Sequence, residues 1–594
     1  MRKGYWNDEL NDLKSDSIAA HNFWNSNGRP RVGPIFEAKK NTYYRYKLRV
    51  RADKRNFNQD RADSLNVDLL DGDHHKFWKS FKHFNYCKSS QSTHIDGLSD
   101  DNLISNRFAD MYKAVYESCN KDASNALHAL FQSDYHKYCH ERSGDSISHL
   151  LVSWQDMLDV MSKLKPGKAT CSFLKPEHIL FGSPKLVCHL HVLFNAMIQH
   201  SYVPHEFLHG VVTPLLKDSE GNSSDPCNYR PLTLSVVFSN LFEHALLLKI
   251  GHLLITDPLQ FGYKKRHSTS HAIYTLRTCI DYFTSHGSHV FTAFLDCSKG
   301  FDKVNHCGIF LKLMQRGIPL CILKLIMYWY SNLTSLVKWN NVLSSSFRVP
   351  SGVRQGGVLS PHLFAIYMDD LIADLRKLKH GCFISNLFLA CIVYADDICL
   401  LAPCRSALQS LLDACESYAD KWCLTYNPSK SKIMSFGTQQ ISPSFQMYGK
   451  KLDAVTEYKY LGVKVEAGAS FSISLSRPLI RFRSSANTIL NAPYASSEPV
   501  LMKLLYAICI PHLTYASEVM TFSSRQVNPL TVAHNDCIRR IFGYNRWESV
   551  RFLRLSLGYP SLIDIFWSRR RKFHARLPSL GNDTLNQLIA LNLA

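Results

Sequence analysis

Two adjacent carboxylates, Asp396 and Asp397, interrupt an otherwise apolar run, Val393-Tyr394-Ala395-Asp396-Asp397-Ile398-Cys399-Leu400-Leu401. Carboxylates are almost never buried unless they are paired or hold a metal. The β-branched and aromatic flanks predict two short strands with the acids at the turn between them. Such a pair is either a polar hairpin turn between core strands or a ligand set. Earlier in the chain, Val290 to Asp296 alternates as a strand that ends in an acid, and Cys297 to Asp302 then turns into a helix. Strands carrying Asp296, Asp396 and Asp397 side by side would cage Mg²⁺, which takes oxygen ligands and is typically held by carboxylates plus substrate phosphates. A pair of such ions activates an attacking hydroxyl and neutralises a leaving pyrophosphate, which is the chemistry of nucleotidyl transfer.

Other segments must position these acids. The strand-like run Gly210 to Leu216 leads to Lys217 and a polar loop ending at Asn228-Tyr229-Arg230-Pro231, so Lys217 and Arg230 flank one hairpin. They are either two surface cations or a pair that grips a triphosphate, Arg through bidentate contacts and Lys as a point charge. Gln260 to Thr269 is a basic loop leading into a helix. Val349 to Pro361 is a glycine-rich loop whose glycines permit close backbone approach, and it feeds a helix with apolar positions Leu363, Ile366 and Leu371. That helix also carries Tyr367-Met368-Asp369-Asp370, the tetrapeptide of retroviral reverse-transcriptase active sites. Helical periodicity continues through Leu371 to Lys377, whereas the chemistry needs a strand-turn-strand, so Asp369 and Asp370 read as ordinary helix acids.

The chain has 594 residues, enough for several domains, and 45% hydrophobic with 20% charged residues is the balance of a globular protein. Its formal charge of +20 points to a polyanionic partner, nucleic acid first, bound in a salt-dependent way. The 18 cysteines show no CxxC pairs or zinc-knuckle spacing and read as scattered thiols of a reducing compartment. His136, Cys139, His140 and His149 read as surface residues. No apolar signal region opens the chain and no long apolar run is unbroken by charge or proline, so neither secretion nor membrane spanning is expected.

Residues to about Ser90 hold a basic stretch from Lys39 to Arg55 interleaved with Tyr43, Tyr44 and Tyr46: a solvated helix face, or stacking surfaces beside phosphate-binding cations. Ser89 to Thr93 reads as a linker, and a helix is predicted near Leu103 to Cys119. An amphipathic helix from Trp154 to Leu164 is stopped by Lys165-Pro166-Gly167-Lys168. Beyond Glu466 the sequence reads helical, with basic faces at Arg477, Arg481 and Arg483 and again at Arg539, Arg540 and Arg569 to Lys572.

Taken together, in order and spacing, these stretches resemble the reverse transcriptase of non-LTR (LINE-type) retrotransposons, similar to the jockey and chicken-repeat branches. The matching segments are Asn228 to Pro231, Gln260 to Thr269, Phe294 to His306, Gly352 to Pro361, Tyr394 to Asp397, Trp422 to Lys430 and Tyr458 to Gly462.

The resemblance implies an α+β right-hand polymerase with an antiparallel palm sheet and helical extensions. Residues 1–150 would be a basic N-terminal extension, 151–290 fingers, 291–465 palm, and 466–594 thumb with a C-terminal extension. It makes Asp296, Asp396 and Asp397 the metal-binding catalytic triad, with two Mg²⁺ ions, Mn²⁺ being an alternative. Lys217, Arg230, Phe301, Gln355, Gly356 and Lys430 would bind the nucleotide, and Tyr460, Leu461 and Gly462 would form a primer grip. In that scheme Phe301 lies under the deoxyribose and clashes with a 2′-hydroxyl, or else is a core ring; Lys430 donates a proton to pyrophosphate, or else is a surface lysine.

The implied activity is RNA-templated extension of a DNA 3′-hydroxyl with dNTPs, in the nucleus or cytoplasm; the alternative is an inactive or domesticated RNA-binding scaffold. Gly300 stands where the family usually has Ala, and Arg266 where it often has Gly. No endonuclease is expected in this chain, so a separate endonuclease or an element RNA-binding protein would be its partner.

Overall fold

The computed structural model describes residues 4–84, 94–117, 120–218, 221–438, 444–492 and 497–591. The linker expected at Ser89 to Thr93 lies outside them. The chain divides into two compact bodies, one made of 1–89 with 475–573 and the other of 90–474 with 574–594.

The larger body carries both main sheets. In the first, strands β1 (His209–Leu216) and β2 (Tyr229–Leu234) form the expected antiparallel hairpin, with Leu215 opposite Arg230. A third strand was not anticipated. β4 (Thr334–Trp339) pairs with β1 in parallel, and its buried alternation places Ser335, Val337 and Trp339 inward.

The second sheet is built on β3 (Val290–Asp296), which is buried along almost its whole length. β5 (Cys391–Tyr394), β6 (Asp397–Ala402), β7 (Lys432–Phe436) and β8 (Asp453–Ala454) complete it in the order β8-β7-β3-β6-β5. All pairings are antiparallel except β7 with β8. Strands so continuously apolar need cover on both faces. The Ser360–Lys377, Arg405–Lys421 and Thr269–Ser285 helices bury their apolar stripes, as Leu371, Leu411 and Leu276 illustrate. A further hairpin, β9 (Glu457–Tyr460) with β10 (Val463–Glu466), turns at Leu461 and Gly462.

The segment 1–150, read as a single extension, divides at 89/90. Its Asp101–Glu117 helix belongs to the larger body, where it buries aromatic rings. Phe108 lies 5.2 Å from both Trp339 and Tyr229, and Phe131 of the following helix lies 5.6 Å from Phe310. In the smaller body the basic Pro34–Leu70 helix joins Ser476–Leu490 and Ser524–Phe542 around a core that includes Leu65, Phe77, Phe482, Leu504 and Ile538. Tyr43 and Tyr44 stay exposed on that basic helix, while Arg49 is paired with Glu9 and Asp53. Among the described residues no helix is long and apolar enough to cross a membrane.

Candidate functional site

The pairing register brings the acids together. Asp397 sits directly opposite Asp296 across β6 and β3, and opposite Tyr394 across the hairpin. Only Ala395 and Asp396 form the turn, and Ala395 takes a left-handed φ of 60°. Lys299, in the turn after β3, is left-handed too, with φ 53°. Such conformations cost about 1–3 kcal/mol each and persist where the surroundings impose them.

One imposing side chain is Gln260, which the sequence reading passed over among its basic neighbours. It is fully buried, and its Oε1 accepts the N–H groups of Ala395 at 3.1 Å and Gly262 at 2.9 Å. Its segment runs parallel to β5, with the Phe261 N–H donating to the Val393 carbonyl at 2.8 Å. A Cβ at Gly262 would lie 2.5 Å from the Ala395 nitrogen, so only glycine permits this approach.

The carboxylates crowd one another. Desolvation, Asp396 and Asp296 together push Asp397 up to about 6, against the opposing pull of Arg230. Asp396 is raised as well, by desolvation first and by Asp296. This all-oxygen donor set fits a hard divalent cation. Among the described residues, however, no three ligating side chains are already gathered at a metal-holding spacing. Mutual repulsion of close negative charges opposes such a cage until a cation offsets it.

An open cleft of about 1260 Å³ extends from these acids and is lined by Asp296, Asp396, Lys217, Arg230, Lys299 and Lys430 among others. Lys217 is held below its ordinary value by burial and by the nearby charges of Lys299, Lys430 and Arg230. Four cations, two from the β1–β2 hairpin and one each from the turn after β3 and the loop before β7, thus share one space, which suits a polyphosphate. Lys299 was not singled out in the sequence. A lysine in the turn immediately after an acid-ended strand was the available signal. Lys430 lies 3.9 Å from Asp296, and the Asn427 N–H donates to the Asp296 carbonyl at 2.9 Å, which ties the lysine's loop to the end of β3.

The glycine loop forms another wall. Gln355 and Gly356 both line the cleft, and the Gln355 carbonyl accepts the Thr233 N–H of β2 at 2.7 Å. Gly356 has φ 118°, and a Cβ there would meet the Thr233 carbonyl at 2.7 Å. Arg354 points inward, donating to the Phe207 and Leu208 carbonyls, with buried Glu243 nearby. Phe301 stacks on Phe364 with centroids 4.3 Å apart, and Tyr263 meets it edge-on at 5.8 Å.

The residues expected to form the primer grip separate. Tyr460 is buried against Phe294, with centroids 5.1 Å apart, so its side chain belongs to the core and only the Leu461–Gly462 turn reaches outward. Asp369 and Asp370 lie in the Ser360–Lys377 helix, paired with Arg316 and Lys312.

Residues 217–465 match the family described as reverse transcriptase (RNA-dependent DNA polymerase). The chain is similar to the RNA-directed DNA polymerase from mobile element jockey of Drosophila funebris, with 26% identity over 457 residues covering 74% of this chain and 49% of that one. It is also similar to the Pol polyprotein from the type-1 retrotransposable element R2 of Nasonia vitripennis, with 28% identity over 292 residues covering 46% of this chain and 27% of the other. Among solved structures, apo telomerase from Candida tropicalis aligns with a TM-score of 0.33 and 14% identity, over 48% of this chain and 60% of that one. The chain spans about half or less of the length of the curated relatives named here.

Proposed function

We propose that this chain, whose residues 217–465 match the reverse transcriptase family and are similar to polymerases of non-LTR retrotransposons, extends a DNA 3′-hydroxyl on an RNA template using dNTPs. The observation that carries the reading is the meeting of two charge sets in one cleft. Asp296 and Asp396 line it together with Lys217, Arg230, Lys299 and Lys430, and Asp397 pairs with Asp296 at the strand end.

In this reading the three aspartates hold two Mg²⁺ ions, or Mn²⁺ in their place, and Lys217, Arg230 and Lys299 bind the triphosphate. Cations at such a site lower the barrier by activating the primer hydroxyl and offsetting charge on the departing pyrophosphate. Lys430, tethered beside Asp296, donates a proton to that leaving group. Phe301, fixed from behind by Phe364, fills the space a 2′-hydroxyl would need. Gln355 and Gly356 shape the pocket for the nucleotide, and the Leu461–Gly462 turn supports the primer end. The β1–β2 hairpin with its helices serves as fingers, 291–465 as palm, and the helices after 466 as thumb. The exposed tyrosines and cations of the Pro34–Leu70 helix contact RNA. The work takes place in the nucleus or cytoplasm.

The test is primer extension on an RNA template with Mg²⁺ and dNTPs, comparing wild type with Asp396→Asn. Extension by wild type alone is expected. Absence of extension by well-folded wild type would overturn the reading in favour of an RNA-binding scaffold.

A further inference from the structure

Phe301 and Gln355 reach the cleft from different segments, and Asp302 lies between those segments. The backbones of the two are already laced together: the Gly352 N–H donates to the Val304 carbonyl at 2.7 Å, and the Val353 N–H to that of Phe301 at 2.8 Å. A Cβ at Gly352 would lie 2.7 Å from the Asp302 carbonyl oxygen. On its far side the loop is bonded to β2 through Thr233 and Gln355. Between these attachments the two segments are also joined side chain to side chain, Gln355 Nε2 donating to Asp302 Oδ1 at 2.8 Å.

Asp302 is only 4% exposed. Burial first, and then the nearby charge of Asp302, raises the hydroxyls of Tyr112 and Tyr116 of the Asp101–Glu117 helix, and that helix also receives the Ser351 hydroxyl on the Tyr116 carbonyl at 2.5 Å. Burying a carboxylate is costly, and an apolar residue of similar size would serve packing better. An ionised carboxylate only accepts hydrogen bonds, so it dictates which end of an amide faces it. With Nε2 turned to Asp302, the Gln355 amide has its carbonyl oxygen and its second N–H left for the cleft.

We propose that Asp302 is a positioning residue for the nucleotide: its buried carboxylate locks the Gln355 amide in one orientation and ties the segment bearing Phe301 to the loop bearing Gln355. This deepens the polymerase reading and rests on it. Among the described residues Asp302 makes no hydrogen bond or ion pair with the metal-binding acids, so its effect falls on nucleotide binding and not on the transfer step.

Single-nucleotide extension by the full chain over a range of dNTP concentrations tests it. Asp302→Ala and Gln355→Ala are each expected to raise the KM for dNTP about tenfold, the loss of a hydrogen bond to a charged group, while kcat changes less. Asp302→Asn retains an acceptor oxygen and is expected to stay near wild type. Asp302→Ala placed in a Gln355→Ala background should have no further effect. Additive losses in the double variant, or Asp302→Asn as impaired as Asp302→Ala, would overturn the assignment. As a measurement independent of turnover, the thermal shift given by dNTP with Mg²⁺ should be present in wild type and lost in Asp302→Ala. Retention of the shift in that variant would overturn the assignment. An inactive wild type whose shift depends on Asp302 would support it and overturn only the polymerase reading.

Discussion

Gln260 holds the acidic hairpin through its backbone, its Oε1 accepting the Ala395 N–H at 3.1 Å from within a fully buried position. Because the same oxygen accepts the Gly262 N–H, one amide fixes both the turn and the segment beside it. The Asp396 carboxylate therefore inherits its direction from a residue far away in sequence.

Gln260→Ala leaves two buried N–H groups without an acceptor, which costs about 1–3 kcal/mol for each. We expect a fold that survives and a kcat for primer extension reduced at least tenfold, since a misplacement on the order of 1 Å is enough for that. Gly262→Ala forces a contact with the Ala395 nitrogen and should be more damaging still. Unchanged steady-state kinetics for both variants would remove the clamp from catalysis.

The paired acids of the Ser360–Lys377 helix give the opposite expectation. Asp369 accepts the Asp257 N–H at 2.7 Å besides pairing with Arg316. Asp370 neutralises Lys312, a nearly buried cation lying 3.6 Å above the Trp422 ring. Asp369→Asn and Asp370→Asn should keep primer extension while lowering stability by about 1–3 kcal/mol in chemical denaturation. Asp396→Asn should do the reverse, and a catalytic loss at Asp370 comparable to that at Asp396 would contradict the assignment.

Burial pushes Asp302 up to about 6, from an ordinary 3.8, against the pull of Gln355, Lys299 and Lys217. Its folded-state value is raised, so the unfolded chain releases this proton first as pH rises. The folded state accordingly loses stability between about pH 4 and 6, by a total of about 3 kcal/mol. Asp302→Asn cannot ionise. Denaturation of the cation-free protein should show the variant more stable than wild type at pH 8 and indistinguishable from it at pH 4.

Asp397 is likewise pushed up to about 6, with Asp396 raised beside it. A divalent cation needs both carboxylates ionised, so Mg²⁺ should raise the melting temperature at pH 7.5 and lose that effect as pH falls below about 6. The stabilisation should disappear in Asp397→Asn. An equal Mg²⁺ effect in that variant would place the cation elsewhere.

Phe301 is held by the face of Phe364, at 4.3 Å and 18°. Phe301→Val is expected to admit rNTPs by removing the ring. Phe364→Ala, which leaves the ring but takes away its support, should relax sugar selectivity in the same direction and by less. Competition between dNTP and rNTP in single-nucleotide extension measures both, and unchanged selectivity in Phe301→Val would withdraw the gate role.

Local pattern carried much of this site. The acids in a strand-turn-strand, the Lys217–Arg230 hairpin and the glycine loop are all readable from residue type and period, and the helical period around Asp369 and Asp370 separates them from the true turn. Gln260, Lys299, Asp302 and Arg354 were harder to read because each is defined by what it meets: a turn nitrogen, three other cations, an amide and two carbonyls. Tyr460 misled in the other direction, its motif pointing outward while its ring packs on Phe294.

By itself the sequence determined that an acid pair sits at a hairpin and a third acid ends a strand, since alternation and turn chemistry are short-range properties. Only the tertiary structure decided that Asp296 stands opposite Asp397 and that cations from three segments gather in the cleft beside them. Inter-strand register and the meeting of distant loops are set by how all the apolar faces are buried together, a condition that no single stretch of the chain contains.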